Sequence, residues 1–164
     1  MRKENEKNTQ PAVFYQISGL LKKAGVDYKI FDIKPEYTDN KVSKITGTQP
    51  SQEAKTLVVI GNNENPLLVV IARLNNVNLN SLKRDLSLND IRMATPEEVK
   101  KHTRTEVGAV SPLCNLNLPV YVDSNLGQQT EIAFGSGLRT KIILMSFEDF
   151  KKILNPTIGS YIKE

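Results

Sequence analysis

The sequence is poor in the residues that most often carry covalent cross-links or catalysis. Its 164 residues include one cysteine, one histidine and no tryptophan, and only 6% are aromatic. Because Cys114 stands alone, it can neither close an internal disulfide nor supply several thiolates to zinc, which excludes disulfide scaffolds and zinc fingers. The single histidine, His102, excludes a metal site built from several imidazoles.

Long apolar runs are also absent. The longest, residues 67–72 and 142–145, are far shorter than the roughly 20 residues that a membrane-spanning helix requires. The basic start, MRKENEKNTQ, leads into no apolar signal core and no small-residue cleavage site. These features predict a cytoplasmic protein that does not associate with a membrane.

What is present is the composition of an ordinary globular protein, with 39% hydrophobic and 24% charged residues. A chain of this size buries roughly 68–70% of its unfolded surface, which is enough for a core. We therefore expect a flexible segment over residues 1–10 and one domain over residues 11–164. The net charge of +4 is mild and lies toward the N-terminal half, which suits one nucleic-acid end better than a long duplex.

Hydrophobic periodicity and turn residues predict helices that alternate irregularly with strands. GNNEN between two β-branched runs indicates a hairpin, and Thr95-Pro96-Glu97-Glu98 is a strong helix start. The sequence has neither a regular βαβ period nor a GxGxxG motif, so we expect an α+β fold around a mostly antiparallel or mixed β-sheet, curled and barrel-like, with flanking helices. The expected helices lie at 11–24, 38–46, within 75–90, 95–102 and 146–154, and the expected strands at 26–30, 55–60, 66–72, 118–123, 130–137 and 141–145.

A serine or cysteine hydrolase is one hypothesis for the chemistry. It would have to place Ser111 or Cys114 beside His102, the only available imidazole. His102 follows a predicted helix, where a capping or surface role is expected, and no nearby pair of cations favours a reactive thiolate at Cys114. A serine or cysteine hydrolase is therefore the least favoured of the hypotheses for this chain.

Two other features could bind a ligand. Lys55 stands at the start of a β run, where its ammonium would lie at the rim of the sheet and could meet phosphate, although a lysine at a strand edge is commonly only solvated. The segment 108–112, GAVSP, predicts a loop in which glycine lets the backbone approach a ligand closely and proline fixes the exit geometry.

Six segments follow one another in a characteristic order within residues 17–158. They are KTLVV at 55–59, RMATPEEVKK at 92–101, VGAVSP at 107–112, LPVYVD at 118–123, a glycine-containing turn at 135–137 and IILM-S-x-x-D-F at 142–150. This order and spacing resembles the YbaK/prolyl-tRNA editing domain family. Its members are free-standing deacylases, or domains inserted into prolyl-tRNA synthetases, that hydrolyse wrongly aminoacylated tRNA.

The resemblance implies roles for particular residues. Lys55 matches the family's characteristic lysine and Gly108 begins its GxxxP loop, so these two are the candidate catalytic residues. Two positions depart from the family's pattern: Arg104 follows Thr103 where a Thr-Gly pair is common, and Lys141 stands where an acidic residue is commoner. The substrate-binding residues that the resemblance implies are Phe31, Ala109, Val110, Ser111, Pro112, Gly135 and Gly137.

By the same resemblance, we expect a trans-editing deacylase acting on mischarged tRNA, with the tRNA(Pro) class first. The aminoacyl ester is already activated, and its neighbouring 2′-hydroxyl can orient or deprotonate water, so placement and electrostatics suffice and neither a metal nor another cofactor is expected. The expected partners are a tRNA acceptor end and a prolyl-tRNA synthetase, and the chain is expected to be a monomer or weak dimer. The alternative is a non-catalytic module of this fold that binds a tRNA acceptor end or a protein.

Overall fold

The computed structural model describes residues 9–164, so most of the expected N-terminal segment, residues 1–8, lies outside it. Each expected helix and strand is present within a few residues of its predicted bounds. The strands are β1 (Tyr28–Asp32), β2 (Ala54–Ile60), β3 (Pro66–Ala72), β4 (Arg92–Met93), β5 (Val120–Asp123), β6 (Glu131–Gly135), β7 (Lys141–Ser146) and β8 (Thr157–Gly159). The α-helices are α1 (Thr9–Ala24), α2 (Asp39–Thr46), α3 (Leu79–Asp85), α4 (Pro96–Thr103), α5 (Ser124–Gly127) and α6 (Phe147–Leu154).

The strands form two sheets. The smaller is antiparallel with the order β1-β7-β6, and the larger is mixed with the order β4-β2-β3-β5-β8. An α+β fold with antiparallel and mixed pairing is therefore confirmed, but neither sheet closes on itself, so the expected barrel-like curl is not found among the described strands. The two sheets meet only at one bridge, between Ala133 of β6 and Glu53, the residue before β2, and the described strands β6 and β2 are not paired beyond it. This leaves an opening between the sheets.

Strand β3 shows how the sequence positions the core. Its run PLLVVIA is apolar at every position because both faces of the strand are covered. Val70 belongs to the core between the two sheets, and Ile71 to a second cluster on the outer face of the larger sheet. The hairpin partner β2 divides in the same way, with Val58 in the first cluster and Val59 in the second. The hairpin is therefore a rigid base for whatever lies at its edge.

Local signals set the ends of the helices. The side chain of Thr38 accepts a hydrogen bond from the N–H of Lys41 at the start of α2, and Gly47 ends that helix with a φ of 70°. Thr95 and Glu98 form the expected capping box before α4. Within residues 9–164, no helix combines the length and apolarity needed to cross a membrane.

Candidate functional site

A cleft of about 620 Å³ lies at the opening between the two sheets. It is lined by the segment around α2, by the start of β2, by the loop before residue 111 and by the facing ends of β6 and β7. Four residues singled out in the sequence belong to this lining: Lys55, Gly108, Val110 and Gly135. The fold thus brings the lysine and the glycine-containing loop into one cleft, although Lys55 and Gly108 are 53 positions apart in the sequence.

Lys55 is the second residue of β2 and lies across from Ile71 of β3. Its side chain is half-buried, and no hydrogen-bond or ion-pair partner for its ammonium exists among the residues that the structure describes. The nearest acid in sequence, Glu53, is already fully engaged with other groups. A cation held in a cleft without a counter-ion is suited to bind an anionic group of a ligand.

One wall of the cleft, the α2 wall, is formed by Asp39, Thr46, Glu53 and Arg73. Glu53 is only 7% exposed, and its carboxylate accepts hydrogen bonds from Arg73 Nε at 2.5 Å, from Thr48 Oγ1 at 3.0 Å and from Ser43 Oγ. The Nη1 of Arg73 contacts Asp39 Oδ2 at 3.1 Å. Each charged group of this wall is therefore paired, and together the pairs tie α2 to the β2–β3 hairpin.

This network was not predicted from the sequence, although one signal for it was present there. Glu53 and Arg73 flank the hairpin at mirrored positions, because Ala54 pairs with Ala72. The backbone N–H of Arg73 donates to the carbonyl of Glu53 at 2.7 Å, which extends the ladder by one residue pair. Opposite charges directly across a hairpin stabilise it, so the two side chains could have been matched from the predicted register.

A second wall, the loop wall, is formed by Val107, Gly108 and Val110. Gly108 has a φ of 91°, in the left-handed region that residues with side chains rarely adopt. A Cβ at this position would meet no atom within 4 Å, so the glycine serves the conformation of the loop. The N–H groups of Gly108 and Val110 donate to no acceptor within the described part of the chain, which leaves two backbone donors for a ligand.

Gly135 and Gly137 hold this loop in place. A Cβ on Gly135 would lie 2.6 Å from the carbonyl oxygen of Val110, a distance that no real Cβ contact shows, so only glycine lets the loop pass this close. Gly137, with a φ of 90°, donates its N–H to the carbonyl of Ala109 at 3.0 Å. Both glycines were expected to bind substrate; the structure places Gly135 in the cleft lining and Gly137 behind the loop.

The other residues of the expected binding set lie behind or beside the lining. Ala109, Ser111 and Pro112 are buried. The hydroxyl oxygen of Ser111 accepts a hydrogen bond from the backbone N–H two residues later, at 3.2 Å, and so shapes the turn. Phe31 lies across from Ile142, which lines the cleft. Because residues across a sheet share one face, Phe31 lies next to the cleft wall.

The two positions that depart from the pattern lie outside the described cleft lining. Arg104 ends α4 in the left-handed region, with a φ of 59°, and its Nη2 donates to Gln16 Oε1 of α1. The ammonium of Lys141 pairs with the carboxylate of Asp32 across two neighbouring strands. Both residues therefore make contacts between elements of the fold.

The geometry does not assemble a nucleophilic pair. Cys114 is buried, and burial raises the pKa of its thiol to about 12, so the thiol stays protonated near neutral pH. Neither Cys114, Ser111 nor His102 belongs to the described cleft lining. The described residues also contain no group of three or more His, Cys, Asp or Glu side chains that could hold a metal ion.

The charges of the cleft are predominantly positive. Its charged lining residues are Lys34, Lys55, Arg73 and Arg139 on the basic side and Asp39 and Glu53 on the acidic side. The Nη2 of Arg139 donates to the carbonyl of Val107 at 3.0 Å, which holds this guanidinium at the loop wall. The same guanidinium lies 3.8 Å from the carboxylate of Glu106, and the two carboxylates of the lining are paired with Arg73, so Lys34 and Lys55 are the cations that give the cleft a field suited to an anionic ligand.

Comparison with known proteins identifies relatives of this chain. The family model of the aminoacyl-tRNA editing domain matches residues 34–153, which include both walls of the cleft. The chain is 28% identical over 151 residues to the multifunctional Ser/Thr-tRNA deacylase ProXp-y of Escherichia coli (strain K12), covering 89% of this chain and 90% of that protein. It is 32% identical over 92 residues to the proline–tRNA ligase of Aquifex aeolicus (strain VF5), covering 55% of this chain but 16% of the ligase.

Solved structures share the fold. The crystal structure of a hypothetical protein has a TM-score of 0.81 at 23% identity and covers 90% of this chain and 99% of its own. That of a candidate trans-editing enzyme for prolyl tRNA synthetase has a TM-score of 0.82 at 22% identity and covers 93% and 98%. At such identities the likeness establishes the fold alone.

Proposed function

Because the chain belongs to the aminoacyl-tRNA editing domain family, we propose that it is a trans-editing deacylase that hydrolyses the ester bond of mischarged tRNA. A curated relative that it matches over most of its length is named as a tRNA deacylase. The observation that carries the proposal is that one cleft is lined both by Lys55, whose ammonium has no described partner, and by Gly108 and Val110, whose N–H groups have no described acceptor.

The cleft suits the end of a charged tRNA in size and in charge. Ligand sites in proteins commonly measure about 300–1,000 Å³, and a cleft of about 620 Å³ can hold a terminal nucleoside with a small amino acid. Lys34, Lys55 and Arg139 can meet the phosphate groups, whereas apolar lining residues such as Val110 can face the amino acid. The close loop wall limits the size of the side chain that enters.

The reaction needs no nucleophile from the protein. A water oxygen attacks the carbonyl carbon of the ester, the bond from that carbon to the ribose oxygen breaks, and the ribose oxygen leaves as a hydroxyl. The neighbouring 2′-hydroxyl of the substrate orients or deprotonates the water. The N–H groups at Gly108 and Val110 stabilise the charge that develops on the carbonyl oxygen, and Lys55 anchors the terminal phosphate or orients the aminoacyl group.

For the substrate, we propose mischarged tRNA(Pro) first, delivered freely or with a prolyl-tRNA synthetase in the cytoplasm, where tRNA is charged and used. The name of the Escherichia coli relative adds seryl and threonyl esters to the candidates. One methylene in an apolar pocket changes binding by only about 1–3 kcal/mol, so the amino acid has to be found by measurement.

A deacylation panel tests the proposal. The purified protein is incubated with tRNA(Pro) carrying Ala, Cys, Ser or Thr, and with tRNA(Ala) and tRNA(Thr) carrying Ser, and release of the amino acid is followed against a buffer control. We expect release from at least one of these tRNAs. Absence of release at micromolar enzyme would overturn the proposal, and binding of uncharged tRNA in the same preparation would then support the non-catalytic module.

A further inference from the structure

Thr56 carries the only buried side-chain nitrogen or oxygen in the described part of the chain that lacks a hydrogen-bond partner. Such an orphan costs about 1–3 kcal/mol, and most buried polar groups in proteins have a partner. Valine would fill the same space on a β-strand without this cost. The hydroxyl of Thr56 is therefore not explained by the stability of the fold.

Thr56 lies in the lining of the cleft, directly after Lys55. Successive residues of a strand point to opposite faces, and both reach the cleft because it runs along the edge of β2. We call this part of the lining, residues 54–57, the β2 edge. The hydroxyl is thus one residue from the lysine proposed to hold the substrate.

The backbone at Thr56 is open on the same edge. The N–H of Arg73 donates to the carbonyl of Glu53, so the odd-numbered residues of β2 form the hydrogen bonds to β3, and the N–H and C=O of Thr56 point to the other side. On that side the carbonyl of Val58 accepts a hydrogen bond from the N–H of Ala94 at 3.0 Å, and β6 bridges the chain at Glu53, so Thr56 lies between these two contacts. No described strand pairs with Thr56 there, which leaves room for a ligand to lie along the β2 edge.

The surroundings of Thr56 favour a neutral polar group as its partner. On its face of the sheet it is flanked by Ala54 and Val58 and lies across from Val70, all of them apolar. A charged group placed here would lose its hydration without a compensating charge. A hydroxyl fits better, because each of two hydroxyls can both donate and accept a hydrogen bond.

We infer that Thr56 is a specificity-determining residue whose hydroxyl hydrogen-bonds the side-chain hydroxyl of a seryl or threonyl ester in the cleft. The inference rests on the proposed function. Rotation about χ1 exchanges the hydroxyl and the methyl group of threonine among staggered positions, so the buried oxygen can turn toward the ligand. The selection is then for the presence of a hydroxyl on the amino acid, in addition to its size.

The test compares two esters on one tRNA. We expect Thr56→Val to lower kcat/KM for Ser-tRNA(Pro) by about tenfold and to change kcat/KM for Ala-tRNA(Pro) by less than about threefold, since alanine has no hydroxyl to lose a partner. Thr56→Ser, which keeps the hydroxyl, should restore the wild-type ratio of the two rates. Thr56→Val should melt at or above the wild-type Tm, because it removes the buried orphan.

Thr46→Val is the matched control. Thr46 also lines the cleft, but its hydroxyl already bonds Val42 O at 2.9 Å and Thr48 Oγ1 at 2.6 Å. We expect this variant to melt lower than the wild type and to keep the Ser-to-Ala ratio.

Three results decide the inference. An unchanged ratio of kcat/KM for the seryl and alanyl esters in Thr56→Val would overturn it. An equal loss of kcat/KM on both esters would also overturn it, because the hydroxyl would then contact a part of the substrate that both esters contain, such as the ribose. If Thr56→Val does not fold, Thr56→Ala compared with Thr56→Ser measures the same ratio. If the wild type releases no amino acid from any charged tRNA, the proposed function itself has failed, which is a separate outcome read from the wild type alone.

Discussion

The α2 wall and the β2 edge line the same cleft, yet their polar groups differ in whether they have partners. On the α2 wall, the carboxylate of Glu53 accepts three hydrogen bonds and Arg73 also pairs with Asp39. On the β2 edge, the ammonium of Lys55 and the hydroxyl of Thr56 have no partner within the described residues. A paired group contributes to the fold, whereas an unpaired one gains its hydrogen bonds from water or from a ligand.

This difference divides the cleft into a part that supports and a part that binds. The pairs of the α2 wall fix α2 against the hairpin and so hold the β2 edge in one geometry, and a site that is held before the ligand arrives loses less entropy on binding. We therefore expect changes on the α2 wall to alter mainly the free energy of unfolding, and changes on the β2 edge to alter mainly the rate of deacylation.

The largest effect is expected from Lys55→Ala. Removing the unpartnered ammonium deletes a charge-assisted contact to the substrate, and we expect kcat/KM to fall at least about 100-fold, the scale on which loss of one electrostatic group acts in other enzymes. Thermal unfolding should stay close to that of the wild type, since no described partner is lost. Rates from the deacylation panel and a melting curve measure both quantities.

Lys83→Ala provides the control for this prediction. Lys83 is an exposed lysine of α3 outside the described cleft lining, so its removal changes the net charge by the same amount. We expect full activity from this variant. Wild-type rates in Lys55→Ala would contradict the role of Lys55, and an equal loss in Lys83→Ala would assign the effect to net charge.

The next largest effect is expected from Gly135→Ala. Its Cβ would lie 2.6 Å from the carbonyl oxygen of Val110, and a backbone atom cannot move away as a flexible side chain can. We expect a loss of about 3 kcal/mol in the free energy of unfolding, at the upper end for overpacking, together with reduced activity because the loop wall shifts. Denaturant melts and deacylation rates test both parts.

Gly108→Ala is the companion variant. The structure has space for a Cβ at this position, but the backbone conformation disfavours any residue other than glycine. A Cβ there meets nothing within 4 Å, so only the φ of 91° opposes it, and we expect a loss of about 1 kcal/mol. If Gly108→Ala is destabilised more than Gly135→Ala, the loop is not held by its contact with β6.

Glu53→Gln tests the α2 wall. It keeps an oxygen to accept from Ser43 and Thr48 but loses the charge that faces Arg73. Breaking a fully buried pair costs about 3–5 kcal/mol; since the Arg73 side chain is 19% exposed, we expect about 2 kcal/mol, measured by urea unfolding. The kcat of the folded variant should stay within about threefold of wild type.

Asp39→Asn isolates the exposed half of the network. The Asp39 side chain is 70% exposed, and exposed ion pairs contribute about 0–1 kcal/mol. We therefore expect a smaller loss than in Glu53→Gln. A large fall in kcat in either variant, with stability unchanged, would remove the distinction between the two parts of the cleft.

The order of elements was accessible from sequence because their signals are local. The β-branched runs, the hairpin connection and the capping box at Thr95 are complete within a few residues, and the structure confirms each of them. The short elements β4, α5 and β8 were missed, since two to four residues carry too little periodicity. The closure of the sheets was misjudged because pairing between β6 and β2 depends on backbone placement across the whole chain.

Only part of the cleft could be predicted from the sequence. Lys55 and the loop that begins at Gly108 were singled out from the residues, their roles came from the resemblance of ordered segments, and the structure brings them to one cleft. The network of Glu53 depends on Ser43, Thr48 and Arg73, which come together through the packing of α2 on the hairpin. The orphan hydroxyl of Thr56 is invisible in sequence, because a missing partner is a property of the folded environment.

The smallest effects on the rate of deacylation are expected from His102→Ala and Cys114→Ala, because both residues lie outside the described cleft lining. Burial raises the pKa of the Cys114 thiol to about 12, so almost no thiolate exists in the folded protein at pH 8, and alkylation should become fast only on unfolding. The unfolded thiol ionises near its ordinary pKa of about 8.5. The stability contributed by this buried neutral thiol is therefore complete below that pH and decreases as the pH rises toward 12.

Deacylation by either variant should stay within about twofold of wild type. A strong loss of activity in His102→Ala would instead support a protein nucleophile.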